Sequence, residues 1–353
     1  MKPSFHTLKI KEIRQEISDA VSISFEIPEE LRPTFQYLPG QYLTLKANVN
    51  GEELRRSYSL CSTPIENSWR VAVKRIENGK FSTYVNEVLK VGDNMDVMSP
   101  MGSFLLPSHT ENKNFVFFAA GSGITPVFSM VKNILVNDAD SQVTLVYGNK
   151  GFNSIIFRED LEALKNRYMN RFRVIHILSR ESLGNDLQKG RIDKEKTSHI
   201  LQSLIQLDNI DEVFICGPED MILGVKEAFV EAGMDSKSIH FELFGTNTPV
   251  KEKVTTSDEV VSSLVTVIVD GEILDIPLAS NDVNILDAAL EAGADLPFAC
   301  KGGVCCTCKA KIMEGSVKMD VNYALEPDEV EAGYILTCQS HPTSERLIVS
   351  FDE

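Results

Sequence analysis

From Leu8 to about Pro107 the apolar positions fall in short β-branched runs separated by polar turns. Examples are Val21–Ile27, Gln41–Ala47, Tyr58–Leu60 and Trp69–Arg75, with one helical stretch at Ser82–Leu89. Many short strands and few helices predict a small antiparallel barrel. From Asn114 to about Phe244 the rhythm changes. Apolar strands (Phe115–Ala119, Val143–Tyr147, Arg173–Leu178, Glu212–Cys216, Ile239–Phe244) alternate with helix-like segments (Pro126–Val136, Arg158–Tyr168, Lys194–Ile205, Asp220–Ala232). That alternation predicts a parallel sheet with crossover helices. The stretch 246–262 is polar, weakly patterned and contains Pro249, so it reads as a linker. Beyond it, Leu264–Val269 and Glu272–Pro277 flank Asp270-Gly271, a hairpin signal, and a helix-like Val283–Glu291 follows. The expected organisation is therefore a barrel over 1–110, an α/β domain over 111–245, the linker, and an α+β domain over 263–353.

A chain of 353 residues has room for these three domains. With 43% hydrophobic and 24% charged residues it reads as globular rather than disordered. No run approaches the roughly 20 apolar residues of a membrane span. The start, Met1-Lys2-Pro3-Ser4-Phe5-His6, has no apolar signal core, so the expected location is the cytoplasm. The net charge is −16, and the last 91 residues hold 16 Asp/Glu against 5 Lys/Arg, or −11 of it. Such acidity argues against nucleic-acid binding. It suits either a docking face for a basic protein or solubility alone.

Five of the seven cysteines crowd that acidic region: Cys300, Cys305, Cys306, Cys308 and Cys338. The spacing Cys300-x4-Cys305-x2-Cys308 with a distant Cys338 is the plant-type arrangement in which four thiolates hold a 2Fe–2S cluster. Gly302 and Gly303 let the loop wrap the cluster and aim amides at its sulfurs. A four-cysteine zinc site is the alternative, but zinc ribbons carry two C-x2-C pairs and only one is present here. Cys306 fits no ligand position.

In the middle domain, Gly121-Ser122-Gly123-Ile124-Thr125-Pro126 follows a strand and opens a helix, a place where backbone can approach a pyrophosphate. The third glycine of the Rossmann fingerprint is missing, and Pro126 stands there instead. Tyr147-Gly148-Asn149 and Cys216-Gly217-Pro218 close two more strands, giving three glycine-bearing turns at one sheet end, where open parallel sheets bind ligands. Ser179-Arg180 ends another strand; a guanidinium there suits a 2′-phosphate, and Glu181 beside it suits a ribose. In the first domain, Arg56, Tyr58 and Leu60 alternate onto one strand face and Ser59 onto the other. Arginine suits a diphosphate, tyrosine a stacked ring, and serine a ring nitrogen. Val73-Lys74 and the helix start Gly79-Lys80-Phe81-Ser82 form a second phosphate-binding candidate.

These motifs in this order resemble the ferredoxin–NADP reductase superfamily with a plant-type ferredoxin fused at the C-terminus. The resemblance covers nearly the whole chain. It implies an FAD barrel, a nicotinamide-nucleotide domain and a β-grasp ferredoxin domain. By the likeness of Arg56-Ser57-Tyr58-Ser59 to the family's R-x-Y-S motif, Arg56 would bind the FAD diphosphate, Tyr58 stack on the isoalloxazine, and Ser59 hydrogen-bond the flavin N5. Gly79–Ser82 resembles the phosphate turn, and Pro100-Met101-Gly102-Ser103-Phe104 the segment that ends the barrel. Gly121–Pro126 resembles the nicotinamide motif, with Thr125 seating the ring; Cys216-Gly217-Pro218 would lie beside it. Phe244 would face the flavin, and Glu242 with Ser59 would tune protonation. The domain order resembles reductase components that feed oxygenases, those of phenylacetyl-CoA epoxidases and of ketosteroid hydroxylases among them. The expectation is an oxidoreductase that uses NADPH in preference to NADH, FAD and a 2Fe–2S cluster, and passes electrons to an oxygenase docked on the acidic domain. Alternatives are a ring-hydroxylating dioxygenase reductase with FMN, a general NAD(P)H:acceptor reductase, or a redox sensor.

Overall fold

The computed structural model describes residues 4–182, 184–245 and 260–353. Among the described residues three large sheets succeed one another along the chain. The first has six antiparallel strands: β1 (Phe5–Ile17), β2 (Ala20–Glu26), β3 (Tyr42–Val49), β4 (Glu52–Ser59), β5 (Trp69–Lys74) and β6 (Asn94–Met98). Their order is β4-β3-β6-β1-β2-β5. Just past β4, Leu60 bridges to Val71 and Cys61 N–H donates to the Arg70 carbonyl at 2.8 Å, so the two edge strands nearly close the sheet into the expected barrel. Its interior holds Leu8, Ile23, Leu43, Leu45, Val71, Val73 and Val97, all buried. Helix α1 (Lys80–Glu87) seals one end through buried Phe81 and Val85.

The second sheet is wholly parallel. It comprises β7 (Asn114–Ala120), β8 (Gln142–Asn149), β9 (Phe172–Leu178), β10 (Glu212–Gly217) and β11 (Ile239–Leu243). Helices α2 (Ile124–Asn137), α3 (Arg158–Arg167), α4 (Lys194–Ser203) and α5 (Glu219–Glu231) supply the crossovers. The order β11-β10-β7-β8-β9 reverses direction between β7 and β10, which makes their carboxyl ends the topological switch point where such sheets bind ligands.

The third sheet is mixed. Strands β12 (Ser262–Val269), β13 (Glu272–Ala279), β14 (Lys309–Glu314), β16 (Tyr334–Leu336) and β18 (Arg346–Ser350) lie in the order β13-β12-β18-β14-β16, with β12 and β18 parallel. A small pair, β15 (Val317–Met319) and β17 (Ser340–Pro342), and helices α6 (Ile285–Glu291) and α7 (Pro327–Glu331) complete it. The helix α6 buries Ile285, Leu286 and Ala289 against the sheet. Asp270 and Gly271 both take positive φ, +54° and +73°, the turn that this dipeptide predicts for the β12–β13 hairpin.

Element edges differ from the sequence expectations in physically readable ways. The strand expected at 58–60 begins at Glu52, because polar Glu52, Glu53 and Arg55 pair along β3 while facing solvent or partly so. The last helix starts at Ile285 rather than at 283, since Asn284 caps it by accepting from Asp287 N–H at 2.9 Å. Of the linker expected over 246–262, residues 246–259 lie outside those described, and Ser262 already pairs with Ala279 in β12. Among the described residues no helix is long and apolar enough to cross a membrane.

Candidate functional site

The switch point gathers residues from four strands. In register, Cys216 on β10 sits between Ala119 on β7 and Glu242 on β11. Gly123 lies so close to β10 that a Cβ there would stand 2.1 Å from the Cys216 carbonyl oxygen. Only glycine permits that approach, and it draws the β7–α2 turn onto the end of β10. Gly121 supports the same turn from a left-handed φ of +54°, and its carbonyl accepts from the Tyr147 hydroxyl at 3.0 Å. Thr125 is buried, its hydroxyl donating to the Ser122 carbonyl at 3.1 Å, and Pro126 follows, buried, in the first turn of α2. Gly217 and Pro218 lead into α5. Gly217 pairs with Leu243, and Phe244 follows just past β11 and is exposed.

Across from this crevice the barrel contributes Ser59. Its hydroxyl donates to Glu242 Oε2 at 3.2 Å, joining two residues 183 positions apart. Burial pushes the Glu242 carboxyl up to about 8, against which the Ser59 hydrogen bond pulls downward. Burial likewise holds the Cys216 thiol well above its ordinary value, with the neighbouring Glu242 adding to the effect. At neutral pH the hydroxyl, the carboxyl and the thiol are all un-ionised at the junction of barrel and parallel sheet.

The two segments read as flavin contacts meet in the barrel wall. Tyr58 on β4 stacks on Phe81 of α1, ring centres 6.0 Å apart at 27°. Arg56 projects from the same strand face and is exposed, its Nη1 donating to the Arg55 carbonyl at 2.7 Å. Ser57 is within hydrogen-bond distance of Thr44, 3.0 Å between hydroxyl oxygens. The first turn of α1 opens at Gly79 with no side-chain cap, leaving its amides available, and Ser82 braces the turn by accepting from Ile76 N–H at 3.1 Å. Lys80 pairs with Glu52. Val73 and Lys74 stand apart from the rest. The Val73 side chain is fully inside the barrel core, and the Lys74 ammonium lies 3.7 Å from Asp19, so any ligand contact at Val73 would have to come from its backbone.

At the end of β9, Ser179 and Arg180 donate backbone N–H groups to the Asn149 and Lys150 carbonyls at 2.9 and 2.8 Å. The Arg180 side chain is exposed, whereas Glu181 turns back so that its Oε2 accepts from Phe152 N–H at 3.0 Å. The Nδ2 of Asn149, buried at the carboxyl end of β8, has no hydrogen-bond partner among the described residues.

In the third domain the four spaced cysteines converge. Cys305 Sγ lies 3.0 Å from Cys300 Sγ, and Cys338 reaches both Cys300 and Cys308. Gly302 N–H donates to Cys300 Sγ at 3.3 Å, and the Gln339 amide points at Cys338 Sγ at 3.6 Å. Gly303 has φ +72°, as a loop folding around a ligand group requires. Four sulfurs, two of them with N–H groups already aimed at them, are a donor set suited to an iron–sulfur cluster. Cys306 points elsewhere, towards Tyr42 of the barrel. That contact was not visible in any motif.

Three family descriptions cover these three units in turn. Residues 7–105 match an oxidoreductase FAD-binding domain, 117–227 an oxidoreductase NAD-binding domain, and 267–343 a 2Fe-2S iron-sulfur cluster binding domain. The chain is 44% identical over 351 residues to one of the subunits of the 1,2-phenylacetyl-CoA epoxidase of Escherichia coli K12, covering 99% of this chain and 98% of that one. The chain belongs to this family of FAD- and iron–sulfur-containing oxygenase reductases. It is also 34% identical over 352 residues to the ferredoxin reductase component of 3-ketosteroid-9-alpha-monooxygenase from Rhodococcus rhodochrous, covering 98% and 96% of the two chains. The fold matches that of phthalate dioxygenase reductase, described as a modular structure for electron transfer from pyridine nucleotides to [2Fe-2S], with a TM-score of 0.59 and 24% identity over 99% and 98% of the chains. This oxygenase reductase family thus carries the three expected cofactor domains in the expected order: FAD, nicotinamide nucleotide and 2Fe–2S.

Proposed function

We propose that this reductase takes hydride from NADPH and delivers electrons singly to an oxygenase of the phenylacetyl-CoA epoxidase type. The observation that carries the reading is the Ser59–Glu242 hydrogen bond, with Cys216 in register beside Glu242, at the switch point of the parallel sheet, within one chain that also brings Cys338 to three thiols of a glycine-rich loop. A flavin held by the barrel would supply both two-electron and one-electron chemistry, and a 2Fe–2S cluster held by the four cysteines would supply one-electron transfer. The chain's own part is alignment. Arg56 and the amides of α1 would hold the diphosphate of FAD, with Gly79, Lys80, Phe81 and Ser82 shaping that turn. Tyr58 would stack on one face of the ring and Phe244 on the other, Phe244 yielding its place to the nicotinamide. Ser59 and Glu242 would present hydrogen-bonding groups at the reacting edge, and Cys216, Gly217, Pro218, Gly121, Gly123, Thr125 and Pro126 would wall the nicotinamide pocket. Cys300, Cys305, Cys308 and Cys338 would hold the cluster.

The nucleotide preference follows from where two charges lie. Glu181 is engaged by the Phe152 amide, while the Arg180 guanidinium is exposed and able to meet a 2′-phosphate. The unpartnered Asn149 amide, buried at the same sheet end, offers a further donor to a nucleotide oxygen. Arg180→Ala is expected to cost NADPH about tenfold in kcat/KM, the loss of one charge-assisted contact of about 1.4 kcal/mol, and NADH little. An unchanged NADPH/NADH ratio would remove the assignment.

The acidic third domain, −11 over residues 263–353, supports docking of a basic face of the oxygenase there. An absorption spectrum of the purified protein before and after NADPH tests the whole reading at once. Flavin and iron–sulfur bands that both bleach are expected; a colourless protein, or one holding zinc, would end it.

A further inference from the structure

The third domain meets the barrel at one small buried cluster formed by Tyr42, Ala299 and Cys305, with Met101, Cys300 and Cys306 packed around it. Tyr42 joins the two sides. Its backbone, at the start of β3, pairs with Ser59 on β4 and exchanges hydrogen bonds with Met101 at 2.8 and 3.0 Å. Its side chain crosses to the cysteine loop, where the hydroxyl lies 3.0 Å from Thr307 Oγ1 and 3.4 Å from Cys306 Sγ. Thr307 is almost wholly buried and sits directly before Cys308; Cys306 directly follows Cys305. Gly102, at φ +124°, makes room for the ring, since a Cβ there would be 3.1 Å from Tyr42 Cδ1. A side chain rooted beside the flavin-facing serine therefore ends between two of the four cysteines.

We infer that Tyr42 is a positioning residue that registers the cysteine loop against the flavin strand pair and so fixes the path of electrons between the two redox groups. This rests on the reading of Ser59 and of the four cysteines given above. The step it serves moves one electron from reduced flavin to oxidised cluster, both electrons having come from NADPH; no bond forms or breaks in it. With the phenol buried, deleting its hydroxyl removes the contacts to Thr307 Oγ1 and Cys306 Sγ and leaves Thr307 held only on the Cys305 side, so the loop loses its tie to the barrel. Other contacts across the interface are peripheral by comparison: Arg55 lies over the Phe298 ring at 4.2 Å, and Ser103 donates to the Ala324 carbonyl at 3.4 Å.

The test compares wild type, Tyr42→Phe, Thr307→Val and the double variant, each with its iron and flavin content measured. In rapid mixing with NADPH, flavin reduction is expected to keep its wild-type rate in all four. Cluster reduction is expected to slow about fivefold in each single variant, the factor that one net hydrogen bond of about 1 kcal/mol carries, and no further in the double. Without any cofactor turnover, hydrogen–deuterium exchange over residues 299–309 is expected to rise in the same variants. Wild-type cluster reduction in Tyr42→Phe, or additive effects in the double, overturns the inference. Equal slowing of flavin reduction overturns it too, because Tyr42 would then act on the flavin rather than the loop. Loss of NADPH-driven flavin reduction already in wild type would instead refute the electron-transfer reading beneath it. If Thr307→Val loses iron, Tyr42→Phe and its exchange pattern decide alone.

Discussion

Cys308→Ser is expected to abolish the visible iron–sulfur signature and cut NADPH-driven reduction of cytochrome c by more than about tenfold, as removal of the one-electron carrier requires. NADPH-driven reduction of ferricyanide, which can take electrons directly from flavin, is expected to stay at its wild-type rate. The separation follows from how the cores are built. Cys308 and Cys338 are buried within the third domain's own apolar cluster, among Leu286, Ala310, Leu336 and Leu347. The barrel has a core of its own, and the cluster under the parallel sheet takes in Ala20, Cys61, Ala72 and Phe104 from the first domain, but neither includes Cys308 or Cys338. A serine oxygen is a harder, weaker ligand for iron than a thiolate. The loop itself should survive the substitution, because Cys308 holds Thr337 through its backbone carbonyl, which accepts from Thr337 N–H at 3.2 Å and from its hydroxyl at 2.9 Å. Cytochrome c reduction at full rate in a protein shown to lack iron would mean that electrons leave from the flavin, and the serial order of domains would have no mechanistic meaning.

Different parts of this molecule were legible in the sequence to different degrees, for physical reasons. The parallel sheet announces itself because its strands are buried on both faces: Phe115, Val116, Phe117, Phe118 and Ala119 are all buried, giving an unbroken apolar run. The thiol spacing is legible because a cluster imposes fixed distances on one short loop. By contrast, the 13-residue β1 carries Lys9, Lys11, Glu12, Arg14 and Glu16, and its register shifts at Ile10/Glu12 and Gln15/Ile17 break the alternation by which a strand is recognised. Strands β15, β16 and β17, of three residues each, are too short to show any period and exist only through their neighbours. The Ser59–Glu242 hydrogen bond and the Tyr42 contact join residues from different domains, so no local pattern encodes either. Family likeness supplied the roles expected of Ser59 and Glu242; only the three-dimensional arrangement shows that they touch.

Flavin reduction by NADPH is expected to depend on a group that titrates near pH 8, and Glu242→Gln is expected to flatten that dependence. The Glu242 carboxyl is lifted to about 8 from an ordinary 4.5 chiefly by burial at the domain junction. The groups facing it are the Ser59 hydroxyl from the barrel and the Cys216 thiol from β10, and that thiol is itself held neutral by burial. Below about pH 8 the carboxyl is protonated and can donate as well as accept; above it, a carboxylate accepts only and would set a negative charge beside the flavin proposed at this junction. Hydride transfer should therefore be faster on the acid side and fall as pH rises through 8. Ser59→Ala should move the midpoint upward, because the Ser59 hydrogen bond is the contribution that lowers it. Linkage gives an independent readout of the same sign. The folded state binds this proton more tightly than the unfolded one, so the stabilisation is complete below about 4.5 and is lost as pH climbs from there through about 8. Thermal unfolding followed from pH 6 to about 9 should show Tm falling more steeply in wild type than in Glu242→Gln. Identical pH profiles for the two proteins, in rate and in Tm alike, would show that the proton resides elsewhere.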